Sequence, residues 1–196
     1  MLPGRELRKR LKIIGPLMPR PLASLLDVGS CKGFFVLNAA QENPNARMVG
    51  IDVHEPFITA ASAVKDHLRQ ENASFHLAGL QEVAEDVGRF GGPFQVVTLL
   101  NVYHYLYWGS GLDSTGCQSH DVLFGRLAAV CDQRLIFSSP LEVAECPGEI
   151  AEFAARAGGA GKYTTKDFLE TAKKFFAVRQ EGWSGRRPVF VMDKMR

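Results

Sequence analysis

The sequence predicts a three-layer α/β/α sandwich around a mostly parallel seven-stranded sheet, closed by an antiparallel C-terminal strand. Three observations carry that expectation. Short apolar runs alternate with segments of helical period, the first strand ends on a glycine-punctuated turn, and the last two strand-like runs are joined by Ser184-Gly185-Arg186-Arg187. A link that short cannot make a crossover, so the final strand must run against its predecessor.

Taken in order, Arg5 to Ile14 has the spacing of an amphipathic helix, stopped by Gly15, Pro16, Pro19 and Pro21. Ser24 to Val28 is a buried strand ending at glycine, and Gly33 opens a helix that Asn43-Pro44-Asn45 ends. Arg47 to Val53 is the second strand. The helix from Pro56 to Gln70 places Phe57, Ala61, Val64 and Leu68 on one expected core face. Ser74 to Ala78 is a short third strand, Gln81 to Phe90 a helix, and Phe94 to Asn101 a strongly apolar strand suited to the sheet centre. Tyr103 to His120 reads as a loop. Asp121 to Val130 is a helix, Arg134 to Ser138 the fifth strand, and Thr165 to Phe176 a helix capped by Thr164 or Thr165. Ala177 to Trp183 and Pro188 to Lys194 form the closing hairpin.

The bulk properties restrict function. A hydrophobic share of 46% with 22% charged residues suits one globular domain over residues 1–196, with 1–20 as a helical extension and 103–120 as a loop beside the site. The net charge of +2 does not mark a nucleic-acid binder, and the basic run Arg5, Arg8, Lys9, Arg10, Lys12 reads as a solvated helix face. Cys31, Cys117, Cys131 and Cys146 contain no C-x-x-C pair, so neither a zinc site nor a disulfide framework is expected, and no metal. The N-terminus lacks a secretory pattern and no run reaches the ~20 apolar residues of a membrane span. The expected setting is the cytoplasm, as a monomer or homodimer.

In an open α/β sheet the ligand sits at the carboxyl ends of the strands, so the first strand-to-helix turn is the place to look. There the chain reads Asp27-Val28-Gly29-Ser30-Cys31-Lys32-Gly33. The glycines are four apart, unlike the G-x-G-x-x-G of a dinucleotide site. The carboxylate before the bend would repel a pyrophosphate and favour a ligand carrying an ammonium group. Asp52 ends the second strand 25 positions after Asp27 (52 − 27), where a carboxylate can accept both hydroxyls of a ribose.

These segments, with Phe94 to His104 after them, resemble the class I (Rossmann-like) S-adenosylmethionine-dependent methyltransferases from about Leu22 to the C-terminus. The resemblance implies S-adenosylmethionine as cofactor. Asp27, Gly29, Ser30, Cys31 and Gly33 would surround its methionine moiety. Asp52 and Val53 would take the ribose side, and Asn101 and Val102 would lie beneath the transferred methyl group. Two positions depart from the family pattern. Cys31 stands where a glycine is usual, and Ala78-Gly79-Leu80 replaces the usual aspartate for adenine. Contacts to adenine are then expected from Gly79 and Leu80, or from Gln81 and Glu82.

For the chemistry, His104 falls where the family sometimes places a histidine; it is either a general base or a structural residue of an aromatic cluster. Tyr103, Tyr105, Tyr107 and Trp108 could wall an acceptor or pack the core, and the stretch from Gly109 to Gln118 could be a lid. No Asn/Asp-Pro-Pro-aromatic motif follows the fourth strand, which argues against amino-group methylation of bases, and Ser138-Ser139-Pro140 lacks the lysine of ribose 2′-O enzymes. A small-molecule acceptor is expected. The alternatives are an RNA (tRNA) substrate, with Arg186-Arg187 and the basic run on phosphates, or a catalytically inactive binding protein.

Overall fold

The structure, a computed structural model, describes residues 3–112 and 116–195, with side chains from residue 6 onward. The side chain of Arg5 and loop residues 113–115 lie outside what is described. Seven strands form one sheet: β1 (Ser24–Val28), β2 (Arg47–Asp52), β3 (Ala73–Leu77), β4 (Phe94–Leu100), β5 (Cys131–Ser138), β6 (Phe176–Ser184) and β7 (Arg187–Lys194). Their order is β3-β2-β1-β4-β5-β7-β6. The first five are parallel, and β7 runs antiparallel to both neighbours. The switch point lies between β1 and β4, where the chain leaves one half of the sheet and begins the other.

β7 rather than β6 reaches the sheet interior because of its side chains. Pro188 to Met192 are all buried, whereas β6 carries Arg179, Gln180 and Glu181 to solvent. A run apolar on both faces fits only between two covered faces.

Eight helices cover the sheet among the described residues: α1 (Pro3–Ile14), α2 (Phe34–Glu42), α3 (Glu55–Leu68), α4 (Leu80–Glu85), α5 (Tyr103–Trp108), α6 (His120–Val130), α7 (Gly148–Arg156) and α8 (Thr165–Ala172). One hydrophobic core, built around Val97, Phe124, Phe137 and Phe168, lies under α4–α8. The other, around Leu25, Val36, Met48 and Val96, lies under α1 and α2. Thr164, not Thr165, caps α8, its Oγ1 accepting from the Asp167 amide at 3.1 Å.

Several expectations need correction. The span Gln81–Phe90 is not one helix: α4 stops at Glu85, and a 3₁₀ turn follows over Val87–Phe90. Helix α8 ends at Ala172, and Phe176 already begins β6, where it is buried. On α3 only Ala61 is buried; Val64 and Leu68 are 43% and 51% exposed, since only the narrow edge half of the sheet is there to cover them. The segment after β4 is not all loop, because α5 forms at once over Tyr103–Trp108; beyond β5, α7 is a helix the sequence reading did not place.

Candidate active site

A cleft of about 670 Å³ opens over the carboxyl ends of β1, β2 and β4, a size usual for small-ligand sites. The backbone at its floor is set by glycine. Gly29 and Gly33 have φ of +71° and +78°, and a Cβ on Gly29 would stand 2.7 Å from Val102 Cγ2. The turn is anchored from β2, as the Gly29 and Ser30 amides both donate to the Ile51 carbonyl at 2.9 Å.

Cys31 occupies the left-handed region at φ +50°, which explains why glycine would suit the position. For a non-glycine residue that conformation costs about 1–2 kcal/mol. Its amide donates to Asp52 Oδ2 at 2.9 Å, which holds the strained residue in place. Asp52 Oδ1 accepts from the His54 amide, also at 2.9 Å. The half-buried carboxylate is thus fixed by two backbone donors and keeps lone pairs directed to the cleft it lines.

Asp27 is nearly fully buried at 2% exposure. The Thr98 hydroxyl, one strand away, donates to Asp27 Oδ1 at 2.6 Å. Burial lifts the carboxyl to about 7, the Thr98 bond partly offsets this, and the Asp52 charge adds to the rise. Thr98 was missed from sequence, although a lone hydroxyl in the apolar run Phe94–Leu100 was its visible sign. Asn101 takes φ +63°, its amide donating to the Ser138 carbonyl at 2.7 Å, and its Oδ1 is buried without a partner among the described residues. A buried acceptor at a cleft wall is left for a ligand donor.

The remaining expected residues divide. Val53, Gly79, Leu80 and Val102 line the cleft; Gln81 and Glu82 do not. Those two are engaged elsewhere: Gln81 bonds Glu85 and Arg126, and Glu82 pairs with Arg89 at 2.7 Å. His104 is also absent from the lining. Its ring is wholly buried, with Nδ1 3.3 Å from Ser139 Oγ, and burial followed by the Arg187 charge pushes it down to about 4. Tyr103, Tyr107 and Trp108 are buried in the core, where His120 Nε2 donates to the Lys162 carbonyl and its Nδ1 takes the Tyr103 hydroxyl. Tyr105 alone of that group faces the cleft, its ring 4.2 Å from that of His104. Leu7 and Arg10 of α1, Phe57 of α3 and Glu149 of α7 also line it and belonged to no motif.

A family model described as a methyltransferase domain matches residues 20–151. The chain belongs to the methyltransferase domain family. Its fold is that of the class I, S-adenosylmethionine-dependent methyltransferases. Among solved structures, monomeric WbdD, a bifunctional kinase-methyltransferase, superposes with a TM-score of 0.68 at 23% identity, covering 98% of this chain and 41% of that one. The magnesium protoporphyrin IX methyltransferase of Synechocystis PCC 6803, solved with S-adenosylhomocysteine bound, gives 0.64 at 17% identity over 98% of this chain and 84% of its own. A curated relative, the tRNA (guanine-N(7)-)-methyltransferase of Synechococcus sp. (strain JA-3-3Ab), is 36% identical over 55 residues, 28% of this chain and 23% of its own length. The methyltransferase domain described here thus spans well under half of WbdD and of the tRNA enzyme. Among its described residues no helix is long and apolar enough to cross a membrane.

Proposed function

We propose that this methyltransferase transfers a methyl group from S-adenosylmethionine to a small-molecule acceptor held in the same cleft. The observation that carries the reading is the convergence of Asp27, Asp52 and the unpartnered Asn101 Oδ1 on one cleft. These are an acid suited to an ammonium, a carboxylate suited to a ribose diol, and a free acceptor, which together support the reading. Val53, Gly79 and Leu80 would bound the adenine, with Phe57 beside them. The bound cofactor supplies an electrophilic methyl on a sulfonium; the protein's part is to orient it and exclude water. The cleft is suited to a small acceptor because α1 contributes Leu7 and the segment after α5 contributes Ser110 to Leu112 as further walls. The tRNA relative is the one observation favouring RNA, and a steep loss of RNA affinity with salt would support that second reading.

Replacing Asp52 by alanine is expected to weaken S-adenosylhomocysteine roughly 10- to 100-fold, the cost of about one or two charge-assisted hydrogen bonds. Isothermal titration checks this, and unchanged affinity would remove the ribose role.

Where the acceptor must lose a proton, Glu149 and Tyr105 are the groups that face it. The Tyr105 phenol is raised by burial first and then by the neighbouring Glu149 charge. His104 stays neutral behind Tyr105 and is assigned a positioning role. Glu149→Gln should lower the Tyr105 titration midpoint, because removing the negative charge eases phenolate formation. It should also slow turnover about 100-fold with cofactor affinity unchanged. Spectrophotometric titration of the phenols, compared with Tyr105→Phe, reads the first effect without knowledge of the acceptor. A midpoint that does not move would break the Tyr105–Glu149 coupling.

A further inference from the structure

Helix α1 packs over the sheet face that α2 also covers, with Leu11 and Ile14 against the core beneath it. Leu7 and Arg10 lie one turn apart on that helix, and both line the cleft. Arg10 is half-buried there, whereas Arg8, Lys9 and Lys12 of the same helix are exposed. Among the described residues no carboxylate lies within ion-pair distance of Arg10. The acid one turn back, Glu6, is held by Lys9 at 3.0 Å.

Asp27 is in the same position with the opposite sign. It lines the same cleft, is almost wholly buried, and its side-chain partner is the neutral Thr98 hydroxyl. Asp27 and Arg10 do not pair with each other. Burial lifts the Asp27 carboxyl, and burial first, then the Arg187 charge, lowers the Arg10 guanidinium. Two opposite charges set in one cleft and left unjoined are each costly, and a ligand carrying both signs would relieve both. An α-amino acid head group is such a ligand, with its ammonium and carboxylate on one carbon. The other cation of the cleft lining among the described residues is Lys32. It is exposed, its Nζ 5.9 Å from the centre of the Phe57 ring, on the side read as the adenine end.

We propose that Arg10 anchors the carboxylate of the cofactor's methionine moiety, so that the amino-acid head group lies between Arg10 of α1 and Asp27 of β1. This rests on the reading above that gives the cofactor ammonium to Asp27. That reading has a partner for the ammonium, the ribose and the adenine, and none for the carboxylate. Arg10 is the half-buried cation in the lining that is free to take it. A guanidinium offers two parallel N–H donors in the plane of a carboxylate, which an ammonium such as Lys32 does not. Helix α1 is then part of the cofactor site, and the run of basic residues that seemed uniform divides into three solvated charges and one that binds. A carboxylate on the methyl acceptor would suit the same fork, and the experiment separates the two sources.

The test is isothermal titration of the full chain, as wild type, Arg10→Gln and Arg10→Lys, with two ligands. S-adenosylhomocysteine carries the head group; 5′-methylthioadenosine has the same nucleoside and sulfur without it. Arg10→Gln should weaken S-adenosylhomocysteine roughly 10- to 100-fold, as for one lost charge-assisted pair, and leave 5′-methylthioadenosine unchanged. Arg10→Lys should fall between, since it keeps the charge and loses the fork. Unchanged 5′-methylthioadenosine affinity also shows that the variants are folded. Equal losses for both ligands overturn the anchor, because Arg10 would then support the nucleoside or the fold. Unchanged S-adenosylhomocysteine affinity in both variants overturns it too. If benzoate titrated onto the S-adenosylhomocysteine complex is then the ligand that weakens, Arg10 serves the acceptor instead. Wild type that fails to bind S-adenosylhomocysteine at all overturns the cofactor site together with the anchor, whereas insensitive variants of a binding wild type overturn the anchor alone.

Discussion

Asp27→Asn should abolish tight cofactor binding and at the same time make the ligand-free protein more stable at pH 8. Both effects follow from one buried carboxyl. The carboxylate is the counter-charge expected for the cofactor ammonium, and removing one partner of a buried pair typically costs about 3–5 kcal/mol, or roughly two to four orders of magnitude in affinity. In the ligand-free fold the same group is a liability. Its folded value of about 7 lies above the ordinary 3.8, so at low pH it is protonated whether folded or unfolded and costs nothing. As pH rises from 4 to 7 the unfolded chain releases its proton while the native state keeps it, and stability falls. The ceiling of that loss is about 4 kcal/mol, from three pH units at 1.36 kcal/mol each. Asparagine keeps an oxygen for the Thr98 hydroxyl and has no proton to release. The variant should therefore match wild type near pH 4 and exceed it by up to a few kcal/mol at pH 8. Urea denaturation at the two pH values measures the difference; a stability gap that is the same at both would show that Asp27 is ionised in the free protein.

Gly33→Ala is expected to cost about 3–5 kcal/mol of stability, the largest loss from any single methyl added to the turn. Two terms add. The residue sits at φ +78°, where a side chain is strained, and its Cβ would stand 2.5 Å from Phe75 Cζ and 3.2 Å from Ala61 Cβ. Phe75 cannot retreat toward β2, because Gly50 is in the same position: a Cβ there would meet Phe75 Cδ1 at 2.7 Å. The ring is wedged between two glycines, one in the cofactor turn and one in β2. Phe75→Leu in the Gly33→Ala background should recover about half of the loss, and a double-mutant cycle by thermal and urea unfolding reads that coupling. If the losses simply add, the wedge is not the cause.

The parts of this fold that were legible in the sequence are those set by local chemistry. The bend from Asp27 to Gly33 could be placed because its glycines supply positive φ, and Asp52 because it ends a strand at a fixed distance. The hairpin direction followed from the length of its turn. Which of its strands is inner was written in the continuous apolar run of β7, yet that choice depends on what covers the sheet. The misplaced features depend on tertiary packing. His104 and Tyr105 are neighbours in a short aromatic helix, and only the body beneath α5 decides that one turns inward and the other to the cleft. Helix α7 buries just Ile150 and Ala154, too weak an apolar stripe to stand out, yet it delivers Glu149. Arg10 read as one charge of a solvated run because nothing local says that α1 folds over the site.

The most direct test of the account is a crystal structure of the full chain grown with S-adenosylhomocysteine. The account predicts the ribose hydroxyls on Asp52, the amino group against Asp27 and the Gly29 turn, adenine beside Val53 and Leu80, and the sulfur facing Tyr105 and Glu149. A nucleoside bound away from Asp52, or an empty cleft at saturating ligand, would contradict it.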